Sequence, residues 1–453
     1  MSAIRRNFST LSLGCVLAAA ISSSLAHAAP ENDWDVYLSS PGGQAGALQM
    51  LPHGHSRTVA DDGGLRLLAL DGLGPNPNFL RSLSVNSKGD LKESPMLVAN
   101  DYQMGAAADL DMKGDYYVAT YGNVSGTFSK TWEAGSTQVE TALAFALEES
   151  DSIAAVRVTA AGDTVLARRV AVSAKRSQFV VERYSKGGKL SWSHRLARIP
   201  AGAVSLSERA NGDLAVAYVR NGAGFSAVRA SVAEAVELSL SSDGQLWGER
   251  AHLLDSDYQA TAVSIAPGGD VYFAIKNVNK QGSTCSLLAM SPAMRMANIA
   301  FSVQGTSCTA PSTVAADDLG FAALFEVSRD RGAQTLLAEG SPFGERWVRE
   351  MNEIPGGLSG AQIARTSLGL VAVARPAAQL SVAAKGVINL QVDVYGAVGQ
   401  LISSEQHPDL RTPEGYALTV PQGGGYIVSY SSFDRSIGQP AIAVSKRSSS
   451  LLE

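Results

Sequence analysis

Cysteine and charge are both scarce in this chain. Three cysteines in 453 residues cannot staple a disulfide scaffold, and charged residues make up only 17 % without any basic block. Lys and Arg number 37 against 42 Asp and Glu, a net charge of −5, so the electropositive footprint of a nucleic-acid binder is missing. No Gly-x-Ser-x-Gly elbow, Gly-x-x-x-x-Gly-Lys-Ser/Thr loop or Cys-x-x-Cys-His motif occurs, which removes that class of serine hydrolase, the P-loop enzymes and c-type haem attachment. Beyond residue 28 no stretch reaches 18 unbroken apolar residues, so no transmembrane segment is expected in the mature chain. What is present is 45 % hydrophobic residues with 44 Gly and 17 Pro, the composition of a large globular core rich in turns.

The first 28 residues have the three parts of a secretory signal peptide: Arg5 and Arg6, an apolar run from Leu11 to Ala20, and Ala26-His27-Ala28 before Ala29. Cleavage is expected after Ala28, leaving residues 29–453 as the mature chain. The apolar run is shorter than the ~20 residues a bilayer span needs, which disfavours an anchor. Lipoprotein processing at Leu13-Gly14-Cys15 is disfavoured by Ser12, where a branched apolar residue belongs. Loss of two arginines and no acids makes the mature chain more acidic, at −7. The expected location is periplasmic or secreted. Cleavage also leaves two cysteines, Cys285 and Cys308, flanking apolar runs on either side of Ser291-Pro292. In an oxidising compartment that spacing favours a disulfide across the base of a hairpin, the alternative being two free thiols.

One phrase recurs along the mature chain: a short alternating strand, a glycine turn, and a second strand of Val, Ala, Leu, Tyr and Phe. Its clearest copy runs Thr261 to Ala266, then Pro267-Gly268-Gly269-Asp270, then Val271 to Ile275. Turn centres fall at 63, 114, 162, 212, 269, 319, 368 and 424, a spacing near 50. Glycine belongs at such turns because they demand positive φ. Second turns follow within each copy, as at Lys88-Gly89-Asp90, Lys186-Gly187-Gly188 and Asp243-Gly244, giving two hairpins and four strands per copy. A period near 50 built only of strands predicts an all-β single β-propeller domain over 29–453, most simply of eight four-stranded blades with seven as the fallback. After Gly424 only 29 residues remain, so the last blade lacks a strand that Trp34 to Leu38 can supply, pairing the N- and C-terminal segments to close the ring. The alanine-rich stretch Phe225 to Leu238 reads either as helix or as an insertion.

Three second turns lead into a tryptophan: Gly188 to Trp192, Gly244 to Trp247 and Gly344 to Trp347. In this the chain resembles bacterial exported β-propellers with quinoprotein-like (PQQ-like) repeats, where a turn glycine precedes a Trp on the outermost strand. The resemblance implies architecture rather than activity.

If first strands line the channel, the loops joining second to third strands and one blade to the next crowd one face. Four second strands end in a cation there, Arg169, Arg220, Lys276 and Arg375, a set suited to an anionic ligand or acidic partner, or to ordinary solvation. Asp101-Tyr102-Gln103 recurs as Asp257-Tyr258-Gln259, and Tyr102 and Tyr258 are candidate contact residues. His53 and His55 precede blade one and His407 precedes blade eight, so the three form a candidate divalent metal or acid–base site, the alternative being separate loop histidines. His194 and His252 are expected far from the channel. Asp109-x-Asp111 offers two of the oxygens of a calcium loop, with Lys113 where a third belongs. Ser241 to Trp247 only approximates a sialidase Asp-box. No cofactor is expected.

Together these readings describe an exported, monomeric binding or scaffold protein that presents loops to a protein or polymeric ligand, and not to nucleic acid. The alternative is a propeller enzyme of lyase, lactonase or hydrolase type, whose catalytic groups come from different blades and leave no linear motif.

Overall fold

The computed structural model describes residues 33–448 apart from 39–46, 52–63, 73–78, 92–95, 104–107, 147–151, 222–232, 255–257, 355–357, 378–387, 412–414, 422–424 and shorter stretches of one or two residues. Residues 1–28, where a signal peptide is expected, lie outside the described residues. The described secondary structure is strand throughout, apart from one 3-10 turn at Leu358–Gly360. The fold is a β-propeller of antiparallel four-stranded units that follow one another along the chain.

Unit 1 comprises Ala47–Met50, Leu65–Gly72, Phe79–Val85 and Met96–Ala99, and unit 2 Ala108–Lys113, Tyr116–Asn123, Gly126–Glu133 and Thr141–Ala146. Unit 3 runs through Ser152–Val158, Thr164–Ser173, Arg176–Tyr184 and Leu190–Arg195. Unit 4 takes Pro200–Glu208, Leu214–Asn221, Ala233–Leu240 and Leu246–Leu253. Unit 5 has Gln259–Ile265, Val271–Asn279, Gly282–Met290 and Asn298–Gly305, and unit 6 Val314–Asp317, Gly320–Arg329, Gly332–Ser341 and Gly344–Met351, with Ser307–Thr309 as an added edge. Unit 7 consists of Gln362–Arg365, Val371–Pro376, Ile388–Tyr395 and Leu401–Leu410. Unit 8 combines Tyr416–Thr419, Tyr426–Asp434 and Gln439–Arg447 with the N-terminal strand Trp34–Leu38, in the register Trp34↔Lys446 to Leu38↔Ile442. Ala233–Leu240 is a strand, so the helical reading of the alanine-rich stretch fails over 233–238; its β-branched and alternating residues pair with Leu214–Asn221.

The middle strands are apolar on both faces because each sheet is covered on both sides. Along Val271–Ile275, Val271, Phe273 and Ile275 pack toward unit 4, while Tyr272 and Ala274 pack toward unit 6. Eight such clusters occur among the described residues. Seven join consecutive units, and the eighth sets Leu48 and Leu67 of unit 1 against Ile427 and Val444 of unit 8. First strands are further tied to the next unit by hydrogen bonds. Val158 N donates to Asp111 Oδ2 (2.9 Å), Arg157 Nε to the Leu206 carbonyl (3.1 Å), Thr261 Oγ1 to the Pro311 carbonyl (2.7 Å), and Met50 N to Ser431 Oγ (2.9 Å).

Cys285 and Cys308 form a disulfide, but not across a hairpin base. Cys285 lies on the third strand of unit 5, and Cys308 on the edge strand that pairs with the second strand of unit 6, so the bond staples two units.

A second joint depends on glycine. Among the described residues, eight five-residue turns share one hydrogen-bond pattern, as where Ser241 N donates to the Gln245 carbonyl and Gly244 N to the Ser241 carbonyl, and each has a glycine at its fourth position with φ between +76° and +90°. In three of them the glycine lies under a tryptophan from the preceding unit's outer strand. A Cβ at Gly89 would come within 3.0 Å of Trp34, at Gly244 within 2.6 Å of Trp192, and at Gly399 within 2.9 Å of Trp347. Trp34 and Trp192 also donate from Nε1 to a carbonyl of the turn beneath, Ser87 and Ser242, each at 2.9 Å.

Candidate functional site

Among the described residues, antiparallel strand order puts the first–second and third–fourth turns at one end of the units and the second–third loops at the other. At the turn end, units 1 to 4 carry polar turns such as Lys88-Gly89-Asp90 and Asn211-Gly212-Asp213. Units 5 to 7 carry large apolar tips instead: Met296, Phe343 and Val398 are 73, 70 and 77 % exposed, and Leu319 and Leu368 are also exposed. These turns adjoin one another. Asn298 Nδ2 donates to the Pro342 carbonyl (3.2 Å), Arg349 Nε donates to the Gly399 carbonyl, and the Leu319 side chain lies 3.9 Å from the position of a Cβ on Gly369.

A charged network lies under these tips. Arg365, at the end of unit 7's first strand, reaches Asp317 of unit 6 through one terminal nitrogen and Glu339 Oε1 through the other, the latter at 2.8 Å. Arg346 adds a second guanidinium to Glu339 Oε1 (2.7 Å) and donates to the Leu319 carbonyl (2.6 Å). Glu339 and Arg365 are almost wholly buried, and burial pushes the Glu339 carboxyl up against the opposing pull of the two arginines. Burial also raises Tyr272, whose ring belongs to the same neighbourhood. Both cations use one oxygen of Glu339, leaving buried Glu339 Oε2, Asp317 Oδ2, Arg365 Nε and the Tyr272 hydroxyl without partners. Glu237 in unit 4 shows the saturated version, with Arg209 on one oxygen and Arg250 on the other.

No family model and no curated protein matches this chain. Among solved structures it is similar to the Dos1 propeller, at 10 % identity and a TM-score of 0.48, covering 88 % of this chain and 95 % of that one. It is also similar to two prolyl endopeptidases (8 %, TM-score 0.46, 87 % of this chain) and to a puromycin hydrolase (10 %, TM-score 0.44, 88 % of this chain). The chain spans 56 % of the length of the former and 61 % of the latter, and no activity carries over at these scores.

At the loop end, the structure spreads the four cations over separate units and environments. Arg169 is exposed and donates to Ser177 Oγ (2.8 Å). Arg220 is held by Glu234 (2.5 Å) and Glu249 (2.7 Å). Arg375 is buried against Asp393 (3.1 Å), and Lys276 is half-buried opposite Gln259 and Cys285. Tyr102 is not exposed but packed in the core between units 1 and 2, and Tyr258 is half-buried against the core between units 4 and 5, since both rings are apolar enough to fill the seam.

His53 and His55 lie outside the described residues. His407 is not in a loop: it sits buried on the fourth strand of unit 7, its ring centre 5.9 Å from that of Tyr430 of unit 8 with the two planes tilted by 55°. Asp111 is spent on Val158 N and, at 3.8 Å, on Arg157, while Asp109 Oδ1 accepts from Leu110 N (2.9 Å). Among the described residues no group of three or more His, Cys, Asp and Glu side chains is placed to hold a metal ion. His194 and His252 lie on outer strands.

Sequence reading missed the turn end. The visible signal was compositional: Pro342-Phe343-Gly344, Leu368-Gly369 and Ala397-Val398-Gly399 put apolar residues where turns normally hold Asn, Asp or Lys. The Glu339–Arg365 contact has no linear signal, because it joins two units.

Two outcomes are expected. Arg365→Met leaves two carboxylates without their buried cation and should cost about 3–5 kcal/mol, whereas Arg346→Ala, on a half-exposed cation, should cost under about 1 kcal/mol; urea denaturation of both checks this. His407 is held below its ordinary 6.5, first by burial. The unfolded chain therefore takes up a proton near pH 6.5 that the fold refuses until a lower pH, so this contribution to stability is complete above 6.5 and is lost as pH falls through that window. His407→Leu should flatten the stability slope just below pH 6.5, leaving the loss below 4.5 that Glu405, whose pKa is lowered, still causes.

Proposed function

We propose that the chain is an exported single-domain propeller, residues 29–453 after removal of 1–28, in which the eight units are blades of one closed ring, and that it binds or scaffolds a protein partner through its turn end. One observation carries this reading: large apolar side chains are gathered on the turn tips of three consecutive units, while the turns of units 1 to 4 are polar. Exposed apolar residues in a contiguous group are costly unless a partner covers them. The Arg365 network beneath holds the turns of units 6 and 7 in fixed relation, which lowers the ordering cost of binding. The unit 5–6 disulfide supports export to an oxidising compartment.

The enzyme reading keeps one observation of its own, the unpartnered oxygens of Glu339, Asp317 and Tyr272 in one buried neighbourhood. It predicts that a small molecule stabilises the protein and that Glu339→Gln abolishes the effect.

The decisive experiment compares partner capture from the envelope extract by the wild type, by Phe343→Asp/Val398→Asp and by Arg169→Glu. The turn-end pair should lose a reproducible partner by about tenfold or more, as expected for residues central to an interface, with an unchanged melting temperature, while the loop-end variant retains it. Equal capture by all three proteins would refute docking at the turn end. N-terminal sequencing of the protein recovered from the envelope should begin at Ala29.

A further inference from the structure

Unit 4 carries a tryptophan that has no seat and a seat that has no ring. Three outer-strand tryptophans lie on a glycine turn of the following unit. Trp247, on the outer strand of unit 4, does not, and is 58 % exposed. Two features explain this. Trp192 and Trp347 stand in register opposite Arg183 and Glu339, but in unit 4 Gly248 takes that position opposite Ser239, and Trp247 falls one residue early, into the bulge. The corresponding turn of unit 5 reads Ser291-Pro292-Ala293 and offers no glycine.

The complementary half is the turn Arg209–Asp213. It has the same hydrogen bonds as the seats under Trp34 and Trp192, with Arg209 N donating to the Asp213 carbonyl and Gly212 N to the Arg209 carbonyl, and Gly212 has φ +82° against +88° and +85°. A Cβ at Gly212 would meet nothing within 4 Å, and of the eight turns of this form among the described residues it is the one left uncovered. Turn and ring are neighbours, since the Arg209 guanidinium lies 5.8 Å from the centre of the Trp247 ring.

We propose that a second copy of this chain occupies this surface, in a two-fold dimer where Trp247 of each copy covers the Gly212 turn of the other. The chemistry is the one the chain already uses three times within itself: a flat indole over a glycine whose missing Cβ permits contact. Because ring and seat lie on the same unit, a two-fold axis satisfies both at once and the assembly closes at two copies. Exposed Leu246 beside Trp247 adds apolar area. This departs from the monomer expected from the sequence and is independent of the docking face on units 5 to 7.

Sedimentation velocity on the mature protein tests it. A contact made by one indole, one turn and Leu246 from each copy gives a weak dimer, so the weight-average mass of the wild type should rise toward twice the monomer mass between about 1 and 200 μM. Trp247→Ala and Gly212→Asn should each remain monomeric; asparagine tolerates the positive φ, so the turn keeps its shape while its Cβ blocks the ring. Mixing the two variants restores one of the two contacts, and association should partly return. A wild type that stays monomeric throughout, a dimer that survives either substitution, or variants that fail to complement would each overturn the proposal.

Discussion

The structure depends on sheets that are apolar on both faces. Strands such as Val271–Ile275 send alternate side chains into two different cores, so a unit with only one neighbour would leave half of its buried surface in water. Repeating units of this kind must either stack indefinitely with polar caps or return on themselves. Here Leu38, Ile442 and Val444 meet Leu48 and Leu67, and the last unit covers the first. Polar groups follow from the same constraint. Arginines that would be free on a surface are drawn between strands and must bring carboxylates with them, as Arg375 does with Asp393 and Arg365 with Glu339 and Asp317.

What was legible in the sequence is what repeats. Glycine turns near every fiftieth residue announced the units, because a turn with positive φ restricts the residue type however the rest of the chain packs. The Cys285–Cys308 bond was legible from the two cysteines that lie beyond the expected signal peptide, although its role as a staple between units was not, since nothing linear tells that Cys308 has left one sheet for the next. Side-chain surroundings were far less legible. Arg169, Arg220, Lys276 and Arg375 occupy comparable strand ends, yet the groups that meet the three arginines, Ser177, Glu234, Glu249 and Asp393, stand at different offsets on third and fourth strands, so Arg169 is exposed, Arg220 and Arg375 are in ion pairs and Lys276 is half-buried opposite Gln259. Tyr102 does lie outside the strands, as expected, but it is buried rather than exposed, because its ring fills the seam between units 1 and 2.

Both proposed interaction surfaces lie where the repeat departs from itself. The polar turn chemistry of units 1 to 4 gives way to Met296, Phe343 and Val398 in units 5 to 7, and the tryptophan seat used at three joints is split in unit 4 between an exposed ring and an empty turn. In a fold built from near-equal copies, such departures are where selection for something other than closure is visible.

Closure itself is the claim on which the account rests, and cross-linking tests it directly. Val36 and Val444 face each other in the register of the N-terminal strand against Gln439–Arg447. With the two native cysteines already joined, a Val36→Cys/Val444→Cys protein should form a second intramolecular disulfide in nearly all molecules on mild oxidation, seen by peptide mapping, and should unfold in one cooperative transition at higher temperature. Free thiols at 36 and 444 after oxidation, in a protein that is otherwise folded, would contradict it.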